Sequence, residues 1–423
     1  GIALSPAHKN IYQNAACADP RREDRELAGI KEMVRKRFPG KVFNYDCEWN
    51  PAGVTRELQG EARDGRLERF TCENLPLRDF LVRRLQAEIE AEFPERTPRQ
   101  PSSDFERELE QQSHMLEECA QGFVARKDSF GGLYDYLRDT TVRKPLYLIG
   151  EPGLGKTTLL ANFTQALRKE QRPVIIRFCG TSDMTKDCFS LWNGVFQEAG
   201  IEPVNSVEEL RTFLYQKLEA SKAVLILDGI NRMPDGLDMP FWLPKTLPEG
   251  CKLILSFARE PASAAAENQV RSDGALVCGM RAFSEWNDRK QLIDQYLETY
   301  LKNLDDDHIR LICAAKGSGN PLYLKILLNE LRVFGAYQQL ESEILRFGDT
   351  PPEAFARVLE RLESEADISV VSVVFSLLCC ARDGLTDAEL TKCLLLNRND
   401  LSEGEAGDGI QFCLRQMRPY LTR

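Results

Sequence analysis

The segment that most constrains this chain is residues 150–157, with the sequence Gly-Glu-Pro-Gly-Leu-Gly-Lys-Thr. It fits the pattern G-x-x-x-x-G-K-[ST] at every fixed position. Strand-favouring residues 146–149 precede it, and residues 158–168 follow with the periodicity of an amphipathic helix. An ordinary glycine turn is the alternative, but a strand, a glycine-rich loop and a helix in this order favour a phosphate-binding loop. The segment therefore predicts a nucleoside triphosphate site.

Each residue type in this loop has a physical role. Glycines let successive backbone N–H groups point at phosphate oxygens, and the helix N-terminus adds unpaired donors. Lys156 supplies a positive charge for the β- and γ-phosphates, and the Thr157 hydroxyl can ligate Mg²⁺. No Asn-Lys-x-Asp motif for guanine occurs, which favours ATP/ADP with Mg²⁺ as ligands. The predicted loop ligands are Gly150, Glu151, Pro152, Gly153, Leu154, Gly155, Lys156, Thr157 and Thr158.

Length and composition limit the number of domains and the kinds of binding surface that we expect. The chain has 423 residues, 43% of them hydrophobic, so we expect about two to four domains. A formal net charge of −10 argues against a dominant surface for nucleic acid or anionic membranes. The 13 cysteines and 3 histidines show no ligand spacing, so neither a zinc cluster nor a disulfide framework is predicted.

The apolar run 368–381 is too short to span a bilayer, and no signal peptide is visible. We therefore expect no membrane contact and a cytoplasmic protein. Because position 1 is not Met and no clear closing element ends the sequence, we also expect a fragment of a longer protein.

The hydrophobic pattern predicts several regions along the chain. Residues 1–95 form an N-terminal α/β segment, expected to be part of a domain, with helices at 24–37 and 77–93 and a strand at 41–45. A Pro/Arg/Ser-rich stretch, 94–103, indicates a linker, and residues 96–121 include the linker helix 105–120, which Ser103 or Asp104 can cap.

Residues 122–283 alternate near-continuous apolar strands with helices, which predicts a parallel sheet covered on both faces. Residues 284–365 are predicted to be all-helical. Residues 370–381 and 387–396, joined by a turn at Gly384, predict a helix-turn-helix unit or simply two packed helices.

The apolar strand 223–227 ends in Asp228. A carboxylate at this position suits a Mg²⁺ ligand, held directly or through water, although Asp228-Gly229 is also a common turn. No second acid follows directly, because Asn231 and Arg232 occupy the next polar positions. A general base would have to come from Asp235 or Glu260, or Asn231 would only orient a water. We therefore expect slow or absent hydrolysis.

Two further segments are candidates for contact with the nucleotide. Strand 252–257 continues into Arg259, which can sense a γ-phosphate or simply lie on the surface. The segment Gly319-Asn320-Pro321 begins a helix, with Asn320 as its predicted cap and Pro321 in its first turn.

Taken in order, the phosphate loop, Leu-Ile-Leu-Asp228, Ser-Phe-Ala-Arg259 and Gly319-Asn-Pro-Leu resemble the STAND class of signal-transduction ATPases, of the NACHT and apoptotic-ATPase type. The segment Phe-Val124-Ala-Arg126 is similar to the part of that class that lies against the base. The resemblance therefore implies that Val124 and Arg126 bind the base, that Pro321 contacts the nucleotide from a helical domain, and that residues 366–423 form a winged helix, which the chain truncates.

Residues 45–49 and 77–93 are more narrowly similar to the segment before the ATPase in nephrocystin, telomerase-associated and NACHT–WD-repeat proteins.

The sequence departs from the pattern of the STAND class at two places, which concern ATP hydrolysis and ADP binding. Asn231 and Arg232 stand where NACHT proteins usually carry acids, and no histidine follows His308 to hold the β-phosphate of ADP.

The resemblance implies an ATP/ADP-controlled signalling switch that self-associates through its nucleotide-binding domain, with protein partners bound by regions beyond both ends. The candidate catalytic residues are Lys156, Asp228, Asn231 and Arg259, and the candidate metal ligands are Thr157 and Asp228. The alternatives are a pseudo-ATPase scaffold that binds nucleotide structurally, an ATP-hydrolysing motor and a small-molecule kinase. The acidic balance disfavours the motor, and the long helical tail disfavours the kinase.

Overall fold

The computed structural model describes residues 20–43, 46–47, 70–72, 75–92, 103–122, 126–221, 223–333, 339–365, 368–381 and 384–418. The chain divides into two compact units, Gly1–Pro101 and Ser102–Arg423. Each unit is described by itself.

In its described residues, the first unit contains two helices and a small antiparallel sheet of order β1-β2-β3. Its elements are α1 (Pro20–Arg37), β1 (Asp46–Cys47), β2 (Phe70–Cys72), β3 (Leu75–Pro76) and α2 (Leu77–Glu92).

Both predicted helices of this unit are confirmed. The predicted strand 41–45 is wrong at residues 41–43, which are irregular, and its residues 44–45 lie outside the described part. The backbone N–H of Lys41 is used by a turn, in which it donates to the carbonyl of Phe38 at 3.1 Å.

The second unit begins with an α/β core. Its strands form a five-stranded parallel sheet of order β5-β6-β7-β4-β8. The elements are α3 (Asp104–Cys119), α4 (Lys127–Arg138), β4 (Leu146–Gly150), α5 (Lys156–Lys169), β5 (Val174–Phe178), α6 (Cys188–Glu198), α7 (Val207–Ala220), β6 (Val224–Asp228), α8 (Met239–Trp242), β7 (Lys252–Ala258), α9 (Ala264–Ser272) and β8 (Leu276–Gly279).

The prediction of a parallel sheet covered on both faces is confirmed. Successive strand residues point to opposite faces, so Leu148 belongs to a hydrophobic cluster with helices α3, α4 and α5. Its neighbour Ile149 belongs to a second cluster with α6 and α7. Burial on both faces explains why these strands are apolar throughout.

Helix α3 closes one edge of the sheet. Ser103 caps it, as predicted, in a reciprocal pair with Glu106. The buried Gln112 of α3 accepts a hydrogen bond from the backbone N–H of Phe178 at 2.8 Å, which satisfies a donor of edge strand β5. This docking brings the end of α3 close to the carboxyl ends of the strands.

The rest of the second unit is helical in its described part. One hydrophobic cluster, with buried residues between Ile293 and Met417, includes side chains from every helix named in the next sentence. The helices are α10 (Trp286–Thr299), α11 (Asp306–Ala314), α12 (Pro321–Val333), α13 (Leu340–Leu345), α14 (Pro351–Glu365), α15 (Ile368–Cys380), α16 (Asp387–Asn397) and α17 (Glu403–Met417).

Helices α15 and α16 confirm the two helices that the sequence predicts near the C-terminus, while α17 is an addition. Within the described part of 366–423 there are three helices and no strand, so the paired strands of a winged helix are not among the elements seen. No helix in the described part of the chain is long and apolar enough to cross a membrane.

The turn after β6 gives a stability prediction. A Cβ added at Gly236 would lie 1.8 Å from the carbonyl oxygen of Ile230, so Gly236→Ala must displace the turn that carries Asn231. We expect a cost of about 1–3 kcal/mol and a lower midpoint of thermal unfolding. Gly132→Ala in α4 is the control, because its added Cβ meets nothing within 4 Å. Equal midpoints for the two variants would contradict this prediction.

Candidate functional site

The phosphate loop connects β4 to α5, and its backbone takes conformations that favour glycine at two positions. Gly153 and Gly155 have positive φ values of 79° and 89°, a region that other residues enter only with strain. Gly155 precedes α5 directly and acts as its N-cap. The first N–H groups of α5 therefore remain available to an anion in front of the helix.

Lys156 lies at the mouth of this loop. Its Nζ donates to the carbonyl oxygens of Gly150 at 2.8 Å and Glu151 at 3.0 Å. Burial lowers the pKa of Lys156, and the negative charges of Asp228 and Glu260 oppose that shift. The ammonium group thus lies within the field of both acids.

Asp228, at the end of β6, is only 1% exposed. Its Oδ2 accepts a hydrogen bond from the Thr157 hydroxyl at 2.7 Å, and its Oδ1 accepts one from the Ser256 hydroxyl at 2.6 Å. The Ser256 Oγ in turn accepts from the backbone N–H of Gly229 at 2.8 Å. A carboxylate beside a threonine hydroxyl provides the oxygen donors that Mg²⁺ prefers, so the predicted metal ligands fit this ion.

Ser256 is a residue of the candidate site that the sequence reasoning did not name as a ligand. It lies on β7, the strand inserted between β4 and β6. Only the strand order brings its hydroxyl to Asp228, and the apolar run around it contains no signal for this contact.

Three other predicted residues have different surroundings. Asn231 Oδ1 accepts from the backbone N–H of Ala258 at 3.1 Å, so this side chain ties the loop after β6 to the end of β7. The Arg259 guanidinium pairs with Glu267 of α9 at 3.1 Å. Asp235 accepts from the backbone N–H of Cys188 at 3.0 Å, which places it at the start of α6.

The helical part of the unit reaches the phosphate loop through the start of α12. Asn320 Nδ2 donates to the carbonyl of Pro152 at 3.1 Å, and the Leu322 N–H donates to Asn320 Oδ1 at 2.9 Å, which confirms Asn320 as the cap. A Cβ added at Gly153 would lie 2.7 Å from both Asn320 and Leu322. Only glycine permits this close approach.

Arg126 also contacts the phosphate loop. It donates to the carbonyls of Leu154 at 2.9 Å and Arg281 at 2.5 Å, and its guanidinium lies 4.0 Å from the centre of the Phe283 ring. Val124, predicted beside it, lies outside the described residues.

Most of the residues predicted for the site line one cavity of about 630 Å³. Of the predicted ligands, residues 152–158, Arg126, Asp228, Asn231 and Pro321 line it, while Gly150, Glu151 and Arg259 do not. The remaining lining residues are Gln121, Gly122, Gly229, Arg232, Ser256, Ala258, Glu260, Phe283, Leu292, Gln295, Tyr296, Thr299, Tyr300, Leu322 and Lys325.

Lys325 is another cavity-lining residue that the sequence reasoning missed. It lies one helical turn after Pro321 on α12 and is exposed. Residues four apart share a helix face, so the Pro321 prediction contained a signal for Lys325.

Comparison with known families agrees with this geometry. Residues 139–263 match the family model of the AAA domain, and this range includes the phosphate loop and Asp228. The chain carries a P-loop NTPase domain. Such a domain implies nucleotide binding.

The relatives of this P-loop NTPase extend beyond the domain itself. Rat telomerase protein component 1 is 28% identical over 402 residues, which cover 86% of this chain and 14% of that protein. Human NACHT domain- and WD repeat-containing protein 1 is 24% identical over 440 residues, covering 95% of this chain and 27% of that protein. These relatives are consistent with a NACHT-type STAND NTPase.

Domain III of the Thermotoga maritima replication initiation protein DnaA is a structural neighbour at a TM-score of 0.34 and 17% identity, covering 62% of this chain and 97% of that chain. A similarity this low supports no argument about function. The chain also spans only 14% of the length of rat telomerase protein component 1, so the activity of a whole protein of that kind does not transfer to it.

Proposed function

We propose that this chain is an ATP/ADP-controlled switch in which the nucleotide joins the α/β core to the helical part. The observation that carries the proposal is the composition of the cavity wall. Lys156 and Asp228 come from the core, while Pro321 and Lys325 come from α12. A ligand in this cavity contacts both parts at once.

The roles of the residues follow from their chemistry. The loop N–H groups and Lys156 bind the β-phosphate and any γ-phosphate. Thr157 and Asp228 hold Mg²⁺, which would neutralise phosphate charge when bound. We assign Arg126 and Pro321, which both line the cavity, to contacts with the base.

The switch follows from differential affinity. A ligand shifts a conformational equilibrium only when it binds one state more tightly. ADP stabilises the compact arrangement, in which Asn320 donates to the phosphate loop. ATP favours an open form that self-associates through the nucleotide-binding domain and hydrolyses ATP slowly. Regions beyond this chain bind the protein partners.

Bound nucleotide is the direct test. The purified chain is denatured, and the released nucleotide is separated by chromatography and compared with the amount of protein. Near-stoichiometric ADP supports the compact switch. A site that exchanges ATP freely and shows no difference in compactness between ATP and ADP supports the pseudo-ATPase scaffold instead.

Asn320→Ala tests the link between nucleotide and domain arrangement. Removing its hydrogen bond to Pro152 costs about 1 kcal/mol, so we expect ADP to protect the start of α12 from hydrogen exchange about fivefold less than in the unsubstituted chain. Asn397→Ala, at the exposed end of α16, is the control. ADP protection that is unchanged in Asn320→Ala would contradict this role.

A further inference from the structure

The acids that line the cavity are few. Among the described lining residues only Asp228 and Glu260 carry carboxylates. Asp228 already accepts from Thr157 and Ser256, one hydroxyl on each oxygen, and is 1% exposed. With both oxygens facing these hydroxyls, it is placed to hold a metal ion.

The other polar groups near β6 and β7 are occupied elsewhere. Asn231 uses its amide oxygen on Ala258, and Asp235 uses its carboxylate on the start of α6. Glu267 is paired with Arg259 and Arg271. Asn231 lines the cavity but carries no carboxylate, and Asp235 and Glu267 do not line it.

Glu260 differs from these residues in position and exposure. It lies two residues after the end of β7, the strand that neighbours the phosphate-loop strand β4, and it is exposed and lines the cavity. Its backbone N–H donates to the Ser263 hydroxyl at 3.0 Å, and its carboxylate accepts from the Ser263 backbone N–H, in a reciprocal cap of the turn Pro261–Ser263. This cap holds the residue in place, and its charge acts on Lys156.

We propose that Glu260 is the general base for ATP hydrolysis, in place of an acid after Asp228. Its carboxylate takes a proton from water, the water oxygen forms a bond to the γ-phosphorus, and the bond between that phosphorus and the bridging oxygen breaks. ADP leaves with the electron pair, and the proton passes from Glu260 to solvent. This inference rests on the proposed nucleotide site and raises the expected turnover above that of a binding-only scaffold.

The test compares single-turnover phosphate release from γ-labelled ATP with Mg²⁺ for the full chain and for Glu260→Gln. General-base catalysis contributes roughly 10²–10⁴-fold, so we expect Glu260→Gln to release phosphate at least about 100-fold more slowly. Its ATP affinity should stay within about threefold, because the amide keeps the size and the capping oxygen of the carboxylate. Glu249→Gln, an exposed acid outside the cavity, should keep full activity.

Glu260→Asp guards against a folding failure, because it keeps the charge and should retain part of the rate. Normal phosphate release by Glu260→Gln would overturn the inference. So would an unsubstituted chain that binds ATP with Mg²⁺ and releases no phosphate, an outcome that leaves the proposed switch intact. An unsubstituted chain that fails to bind ATP would remove both proposals together.

Discussion

Replacing Lys156 with alanine is expected to lower the affinity for ATP on the order of 100-fold. The ammonium group lies at the mouth of the phosphate loop, where burial has already removed part of its hydration. Hydrogen bonds between charged partners contribute about 1.5–3 kcal/mol each, and two phosphate contacts of this size correspond to at least a hundredfold change in Kd. Titration with a fluorescent ATP analogue measures the change.

Lys169→Ala is the matched control for this variant, because Lys169 ends the same helix and is exposed. It removes the same charge from the chain without touching the cavity. The fold should tolerate Lys156→Ala, since the carbonyls of Gly150 and Glu151 that Lys156 contacts can be hydrated at the cavity mouth. Equal affinities for the two variants would show that phosphates bind elsewhere.

Asp228→Asn is expected to remove most of the gain in ATP affinity that Mg²⁺ provides. The substitution keeps the shape of the side chain but replaces an ionised oxygen donor with a neutral amide, a poor ligand for a hard cation. The buried position of Asp228 between Thr157 and Ser256 strengthens the effect, because a charge in low dielectric acts more strongly. We expect a loss on the order of tenfold with Mg²⁺ present and a smaller change with EDTA.

Asp238→Asn serves as the control for the change of charge, since Asp238 is exposed and lies outside the cavity. ATP affinities are compared for each variant with Mg²⁺ and with EDTA. Equal losses in both conditions for Asp228→Asn would indicate a structural role in the hydrogen bonds to Thr157 and Ser256. A proportionately larger loss with Mg²⁺ would support its role as a metal ligand.

Local signals in the sequence predicted much of the second unit. The phosphate loop depends on residue types within eight consecutive positions, and its glycines, Lys156 and Thr157 occupy the strand-loop-helix context that this motif needs. The apolar strands and the helix starts at Asn320 and Ser103 also depend on neighbouring residues only. Periodicity and capping chemistry act over one or two helical turns, so a single sequence contains them.

The predicted strand 41–45 is wrong at residues 41–43 because these residues suit both a strand and a turn, and the backbone hydrogen bond of Lys41 decides between them. Helix α17 was missed because its sequence contains three glycines, which are poor helix formers. Its Ser402 capping box and its buried face against the helical core stabilise it nonetheless.

The tertiary structure decides which side chains line the cavity together. The sequence could name Lys156, Thr157 and Asp228, because motif and strand end mark them. The insertion of β7 between β4 and β6 brings Ser256 to Asp228 and Glu260 to the cavity, while Arg259, one residue before Glu260, pairs with Glu267. The docking of α12 adds Lys325. Strand order and domain docking join residues far apart in the chain. Helix periodicity could relate Lys325 to Pro321, but no local pattern shows that either residue meets the phosphate loop.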